Sequence, residues 1–130
     1  MEEESVAVAH KTRIMYIENK GGEWQERYWG VLYPVGSNLS GPGRIGRVTF
    51  SKTGLSITYK GQHFGRFNGK KSNYVCEQTG ESFWISGPKK RGGDALYATN
   101  IPTEIDDDVR EEYWTAIRNQ PERKSETSTT

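Results

Sequence analysis

The chain has 130 residues, a formal net charge of +1 from 18 Lys and Arg against 17 Asp and Glu, and a hydrophobic fraction of 32%. That length supports one domain with one core, and four Trp, seven Tyr and four Phe supply the bulk to fill it. A lone cysteine, Cys76, excludes an intramolecular disulfide and a cysteine-based metal site, and no apolar run approaches the length of a membrane span.

The acidic opening MEEESVAVAH lacks the apolar stretch of a secretory signal, which points to a cytoplasmic protein. Residues 1–11 read as a flexible N-terminus, 12–121 as a single globular domain, and 122–130 as a polar, disordered tail. TRIMYIEN (12–19) predicts a strand that is apolar on both faces, and so a central one. KGGEW (20–24) breaks it, RYWGVLY (27–33) reads as a second short strand, and PVGSNLSGPG (34–43) has the composition of a loop. RIGRVTF (44–50) and LSITY (55–59), joined by SKTG, predict a β-hairpin. The stretch 60–73 reads as irregular or as containing a short strand near His63 and Phe64. YVCEQ (74–78) and SFWIS (82–86) form a second hairpin, and ALYA (95–98) reads as a further strand of that meander. The period then changes. Val109, Tyr113, Ala116 and Ile117 recur at helical spacing, Asp106 to Asp108 supply a cap and negative charge at the N-terminus, and Pro121 stops the helix. The fold class is α+β, a small mostly antiparallel β-sheet or partly open barrel with one C-terminal helix.

Charge is segregated along the chain. Between Glu26 and Glu77 lie Arg27, Arg44, Arg47, Lys52, Lys60, Arg66, Lys70 and Lys71 with no acid among them, whereas Glu104, Asp106, Asp107, Asp108, Glu111 and Glu112 crowd together downstream. A third basic feature, Lys89, Lys90 and Arg91, sits inside GPKKRGGD (87–94). The Gly-x4-Gly spacing is that of a phosphate-binding loop. Gly93 and Asp94 stand where Lys and Ser or Thr belong, and a strand rather than a helix is expected to follow, so the phosphate site is incomplete. A solvated turn, or a loop that touches an anionic partner, fits better.

Catalytic signatures are sparse. His63 and Cys76 would form a nucleophilic dyad only if one pocket held both. The acidic cluster has no His partner and no turn-forming Gly of the calcium-loop kind, so it reads as a helix cap and no metal or cofactor is assigned. Arg110 and Trp114 lie one helical turn apart, placed for a cation–π contact on an exposed flank.

TRIMYIENK (12–20), GRIGRVTFSKTG (43–54), and FWISGPKKRGGDALY with EIDDDVREEYW downstream occur in this order in a family of small, mostly uncharacterised bacterial proteins, which the chain resembles over most of residues 12–121. Its GGEWQERYWGVLYPVGSNLS segment is longer than the connection usual in that family. Some members carry the name 1-deoxy-D-xylulose-5-phosphate synthase. Synthases of that kind are thiamine-diphosphate enzymes many times this size with a Gly-Asp-Gly metal motif, and this chain has Gly92-Gly93-Asp94 instead. The resemblance thus implies a bacterial origin and a shared fold, and carries over no catalytic residue.

These features point to a non-enzymatic bacterial binding protein of the immunity or inhibitor type. Lys70, Lys71, Lys89, Lys90 and Arg91 would face an acidic protein partner, or Asp107, Asp108, Glu111 and Glu112 a basic one. Two alternatives are a small enzyme using His63 and Cys76, and a single-strand nucleic-acid binder with Tyr28, Trp29, Tyr33, Phe50, Tyr59, Phe64, Phe67 and Tyr74 interleaved among the cations. The binder requires those rings to face outward. A further possibility is that the acidic helix lies on Arg44, Arg47 and Arg66 and neutralises them within the monomer.

Overall fold

The computed structural model describes residues 11–21, 23–26, 32–35, 41–69, 72–97, 99 and 101–129, with only the backbone for 23–26 and 32–35. Lys70 and Lys71, most of the N-terminal segment, Tyr28, Trp29 and residues 27–31 of the expected second strand lie outside them.

β1 (Thr12–Gly21) organises the molecule because it is apolar on both faces. It pairs antiparallel with β4 (Gly43–Phe50) on one side and β8 (Ser82–Ser86) on the other. Between those two, β5 (Ser56–Tyr59), β6 (Gln62–Arg66) and β7 (Tyr74–Cys76) run as an antiparallel meander. The circuit β1-β8-β7-β6-β5-β4 therefore returns to β1, and the barrel is closed rather than partly open. Side chains fill a barrel this narrow. Met15, Ile17, Val48, Ile57, Tyr59, Phe64, Tyr74, Cys76, Phe83 and Ile85 form its interior.

Alternation puts Ile14 and Tyr16 on the outside of β1, opposite Arg47 and Ile45 of β4. There they meet a second apolar cluster with Ile105, Val109, Tyr113 and Trp114. The expectation of a central strand thus holds in a particular form: β1 lies between the barrel interior and an outer helical layer.

β5 pairs with β4 only at Thr49 and Phe50. That leaves the other end of the β4 edge for β9 (Thr103–Ile105), a parallel strand. A helical segment, 107–117, follows. It begins as a 3-10 turn (Asp107–Val109), continues as one α turn (Arg110–Glu112) and widens to a π turn (Tyr113–Ile117). The wider turn lets the neighbours Tyr113 and Trp114 both be buried, with their rings edge-to-face at 5.1 Å. Ala116, expected on the buried face, is exposed.

Several local expectations are corrected. β2 (Glu23–Glu26) pairs with β3 (Leu32–Val35), so strand occupies part of the expected break and the start of the expected loop. The described part of ALYA, residues 95–97, is not strand; residues 94–97 are a series of bends tied down by buried Asp94, and Ala98 lies outside the described residues. The 60–73 stretch does hold the short strand expected near His63 and Phe64, as β6, and a tight hairpin turn joins it to β5. Lys60 and Gly61 both have positive φ, 48° and 80°, the signature of a two-residue type I′ turn. At the polar 122–130 stretch, expected to be disordered, Pro121–Arg123 forms a 3-10 turn and residues 127–129 lie beside β9. Ile105 N–H donates to Thr127 O, and Thr129 N–H to Thr103 O.

Candidate functional site

The outer face of the barrel carries buried charge in two linked groups. Glu18 and Lys20 continue the outward stripe begun by Ile14 and Tyr16, and both are fully enclosed, with Lys20 Nζ 2.8 Å from Glu18 Oε2. Glu18 also accepts from Tyr16 Oη and from the Gly41 backbone N–H, each at 2.7 Å. Lys20 Nζ lies 5.3 Å from the centre of the Tyr97 ring. Burial, followed by the hydrogen bond to Glu18, pushes the Tyr16 hydroxyl well above its ordinary value.

The second group is built around Asp94, the residue that closes the basic loop. Its Oδ1 accepts the Lys89 backbone N–H at 2.7 Å, and its Oδ2 accepts Tyr113 Oη at 2.6 Å and Arg118 Nη2 at 2.8 Å. Arg118 Nε donates to Tyr113 Oη at 2.8 Å. Burial alone would lower the Arg118 value. The bonds from Tyr113 and Asp94 outweigh it, so the guanidinium is held charged. Burial and then Asp94 raise Tyr113, which stays a neutral donor. One buried carboxylate therefore pins the 89–94 turn to the helical layer. Lys89, Lys90 and Arg91 are themselves exposed. Beside them opens a cleft of about 650 Å3, bordered by Lys89, Gly93, Tyr97, Trp114, Arg118 and Arg123 among others.

The remaining basic residues are arranged differently. Arg44 bonds Asp106 through Nε and Nη2 at 2.9 and 2.6 Å, and Arg47 pairs with Glu112 at 2.9 Å. Arg66 stacks over Tyr74. Asp106 gives no side-chain cap to the helical segment, contrary to expectation. It turns instead to the barrel mouth, where Tyr59 Oη lies 2.5 Å and Lys60 Nζ 3.3 Å away. A Cβ at Gly46 would stand 2.5 Å from both the Tyr59 ring and Asp106, so this junction requires glycine. Burial alone would raise the Asp106 carboxyl, but bonds from Tyr59 and Arg44 outweigh it and hold it below the ordinary value of 3.8. Two of the three arginines weighed from sequence are thus neutralised within the chain.

The acidic set is partly engaged as well. Asp107 pairs with Arg110 and Glu112 with Arg47, while Asp108 and Glu111 are exposed. Trp114 is buried rather than on an exposed flank. It is stacked by Arg123, 4.0 Å from its centroid, and not by Arg110. His63 and Cys76 do not share a pocket. Cys76 points into the barrel with Phe64, its partner across the ladder, so the preceding residue, His63, faces outward and meets Thr58 Oγ1 at 3.1 Å. Among the described rings of the basic segment, Tyr59, Phe64 and Tyr74 are buried, opposite to what base stacking requires. Among the described residues no three His, Cys, Asp or Glu side chains converge as metal ligands. No described helix is long and apolar enough to cross a membrane.

No protein-family model, curated protein or solved structure matches this chain. The functional reading therefore rests on the geometry of this layer. Sequence reasoning found the exposed triplet. It missed Glu18, Lys20, Asp94 and Arg118; the one visible signal, polar residues continuing the outward stripe of β1 at 18 and 20, concerned the first two.

Proposed function

We propose that the chain is a non-enzymatic bacterial binding protein, of the immunity or inhibitor type, that docks an acidic protein through the 87–94 loop. One observation carries the reading. Arg44 and Arg47 are spent on the acidic segment, while Lys89, Lys90 and Arg91 project together from a turn whose backbone is fixed by buried Asp94. A pre-ordered basic loop loses little freedom on docking, and its charge steers an acidic partner. The basic-partner alternative is weaker, because Asp107 and Glu112 are already paired.

The test is capture from nuclease-treated bacterial lysate with the full chain. The comparison protein has Lys89, Lys90 and Arg91 all changed to Glu. An acidic protein retained by the first, lost by the second and released as salt rises supports the reading. Capture that the triple reversal leaves intact sinks it. So does a finding that the chain binds single-stranded DNA or RNA and captures no protein from the nuclease-treated lysate.

A further inference from the structure

We propose that the cleft beneath the basic loop is a small-molecule site for an organic oxyanion, a carboxylate or a phosphate ester, held by Arg118 and Lys89. The site shares Lys89 with the protein-docking reading, but it turns on Arg118, which belongs to the helical layer and not to the exposed triplet, so a small anion can bind whether or not a protein docks.

Arg118 is the centre of the argument. It is nine-tenths buried, and two of its nitrogens are committed, Nε to Tyr113 and Nη2 to Asp94. Nη1 has no hydrogen-bond partner among the described residues. Nor is it enclosed: among the buried side-chain nitrogens and oxygens of the described residues, only Arg110 Nε lacks a partner. Arg118 borders the cleft, and Nη1 is the donor it has left for a ligand there. The guanidinium is thus fixed in place with one donor edge free, the state in which arginine loses least on binding an oxyanion.

The surroundings agree. Asp94 would repel an anion if its oxygens were free, but Lys89 N–H, Tyr113 and Arg118 occupy both. The Arg123 guanidinium is already spent on Glu126, Gln120 and the Trp114 face. Lys89 stands at the rim with no ion pair among the described residues. The available positive groups are therefore Arg118 Nη1 and the Lys89 ammonium, on a cleft whose about 650 Å3 lies in the usual range for small ligands. Tyr97, Leu96 and the exposed Ile101 on the same walls favour an organic anion over a bare inorganic one.

Succinate and phenyl phosphate are the probes, each titrated into the 15N-labelled full chain at low ionic strength. Saturable shifts of the Lys89, Gly93 and Asp94 amides and of the Arg118 Nε–H are expected with one or both. The tighter probe tells carboxylate from phosphate. Arg118→Gln should weaken binding about tenfold, the share of one charge-assisted hydrogen bond. Because that change also disturbs the Asp94 pair, Gly93→Phe is the second variant. Gly93 borders the cleft and, its chain neighbours apart, no atom lies within 4 Å of where a Cβ would stand, so a ring there should obstruct the cleft while leaving the Arg118 side chain in the protein. Gly93→Phe should keep the wild-type spectrum elsewhere and lose binding, and the exposed Lys52→Gln should change neither. The proposal is overturned if neither probe saturates, or if binding survives both Arg118→Gln and Gly93→Phe.

Discussion

The inside and outside of the barrel wall are built on opposite rules. The interior is a continuous apolar filling in which the Cys76 thiol and the Tyr59 and Tyr74 hydroxyls are the polar exceptions, and Tyr59 sends its hydroxyl to the mouth. The outer layer buries Glu18, Lys20, Asp94, Asp106 and most of Arg118, each with named partners. Apolar filling is non-directional and tolerates some rearrangement. A buried carboxylate with each oxygen assigned admits only one arrangement of its neighbours. The interior supplies stability, and the outer layer fixes where the 87–94 loop and the 107–117 segment sit.

The contrast can be broken first from the inside. Phe64 is fully buried and meets Phe83 edge-to-face at 4.7 Å, so Phe64→Ala should cost about 3–5 kcal/mol, read as a fall in the urea midpoint. Asp94→Ala attacks the outer layer. It leaves the Arg118 charge and the Lys89 N–H without their acceptor and should cost about 3 kcal/mol. Its distinctive mark is spatial: faster amide hydrogen exchange at 89–93, with the β5–β6 and β7–β8 ladders still protected. If exchange rises evenly over the whole chain, the two sides of the wall are not separable.

Titration separates them by pH. The Asp106 carboxyl is depressed in the folded chain, so its contribution is present above the ordinary value of 3.8 and is lost as pH falls through its lower folded value. Tyr16, Tyr59 and Tyr113 are raised above their ordinary 10.0, so what they contribute is intact below pH 10 and is lost as pH rises beyond it. Thermal melts should therefore decline at both extremes. Tyr59→Phe should flatten part of each limb, and unchanged limbs would separate Asp106 from acid stability. The smallest effect belongs to the β5–β6 turn. Gly61→Ala, at φ 80°, should cost about 1 kcal/mol without altering any spectrum of the outer layer.

How much of this was legible depends on the range over which each feature is decided. The hairpins 44–59 and 74–86 were legible because the alternation of Val48 with Phe50, and of Ile57 with Tyr59, is local. The triplet at 89–91 was legible as exposed because glycines and a proline flank it. β9 was not, since three residues after Pro102 become a strand only by pairing in parallel with β4, far away in sequence. The Lys60-Gly61 turn was missed because lysine is an uncommon first residue for its geometry. Asp94 reads as one more polar loop residue until Tyr113 and Arg118 are folded against it. Asp106 reads as a helix cap until Arg44 and Tyr59 offer it stronger donors. The sequence carries these residues in plain view, but their roles are assigned only across the fold.

Cys76 gives the closed barrel a clock of its own. The chain's one thiol faces the interior, fully enclosed, with Gln62 and Gln78 within hydrogen-bonding distance of its sulfur. A thiol reagent reaches it only when the wall parts along a seam, so the alkylation rate counts how often the barrel breathes. Loosening of the outer layer alone leaves that rate untouched. A single mass measurement against time thus reports barrel opening separately from any motion of the loop that the outer layer holds.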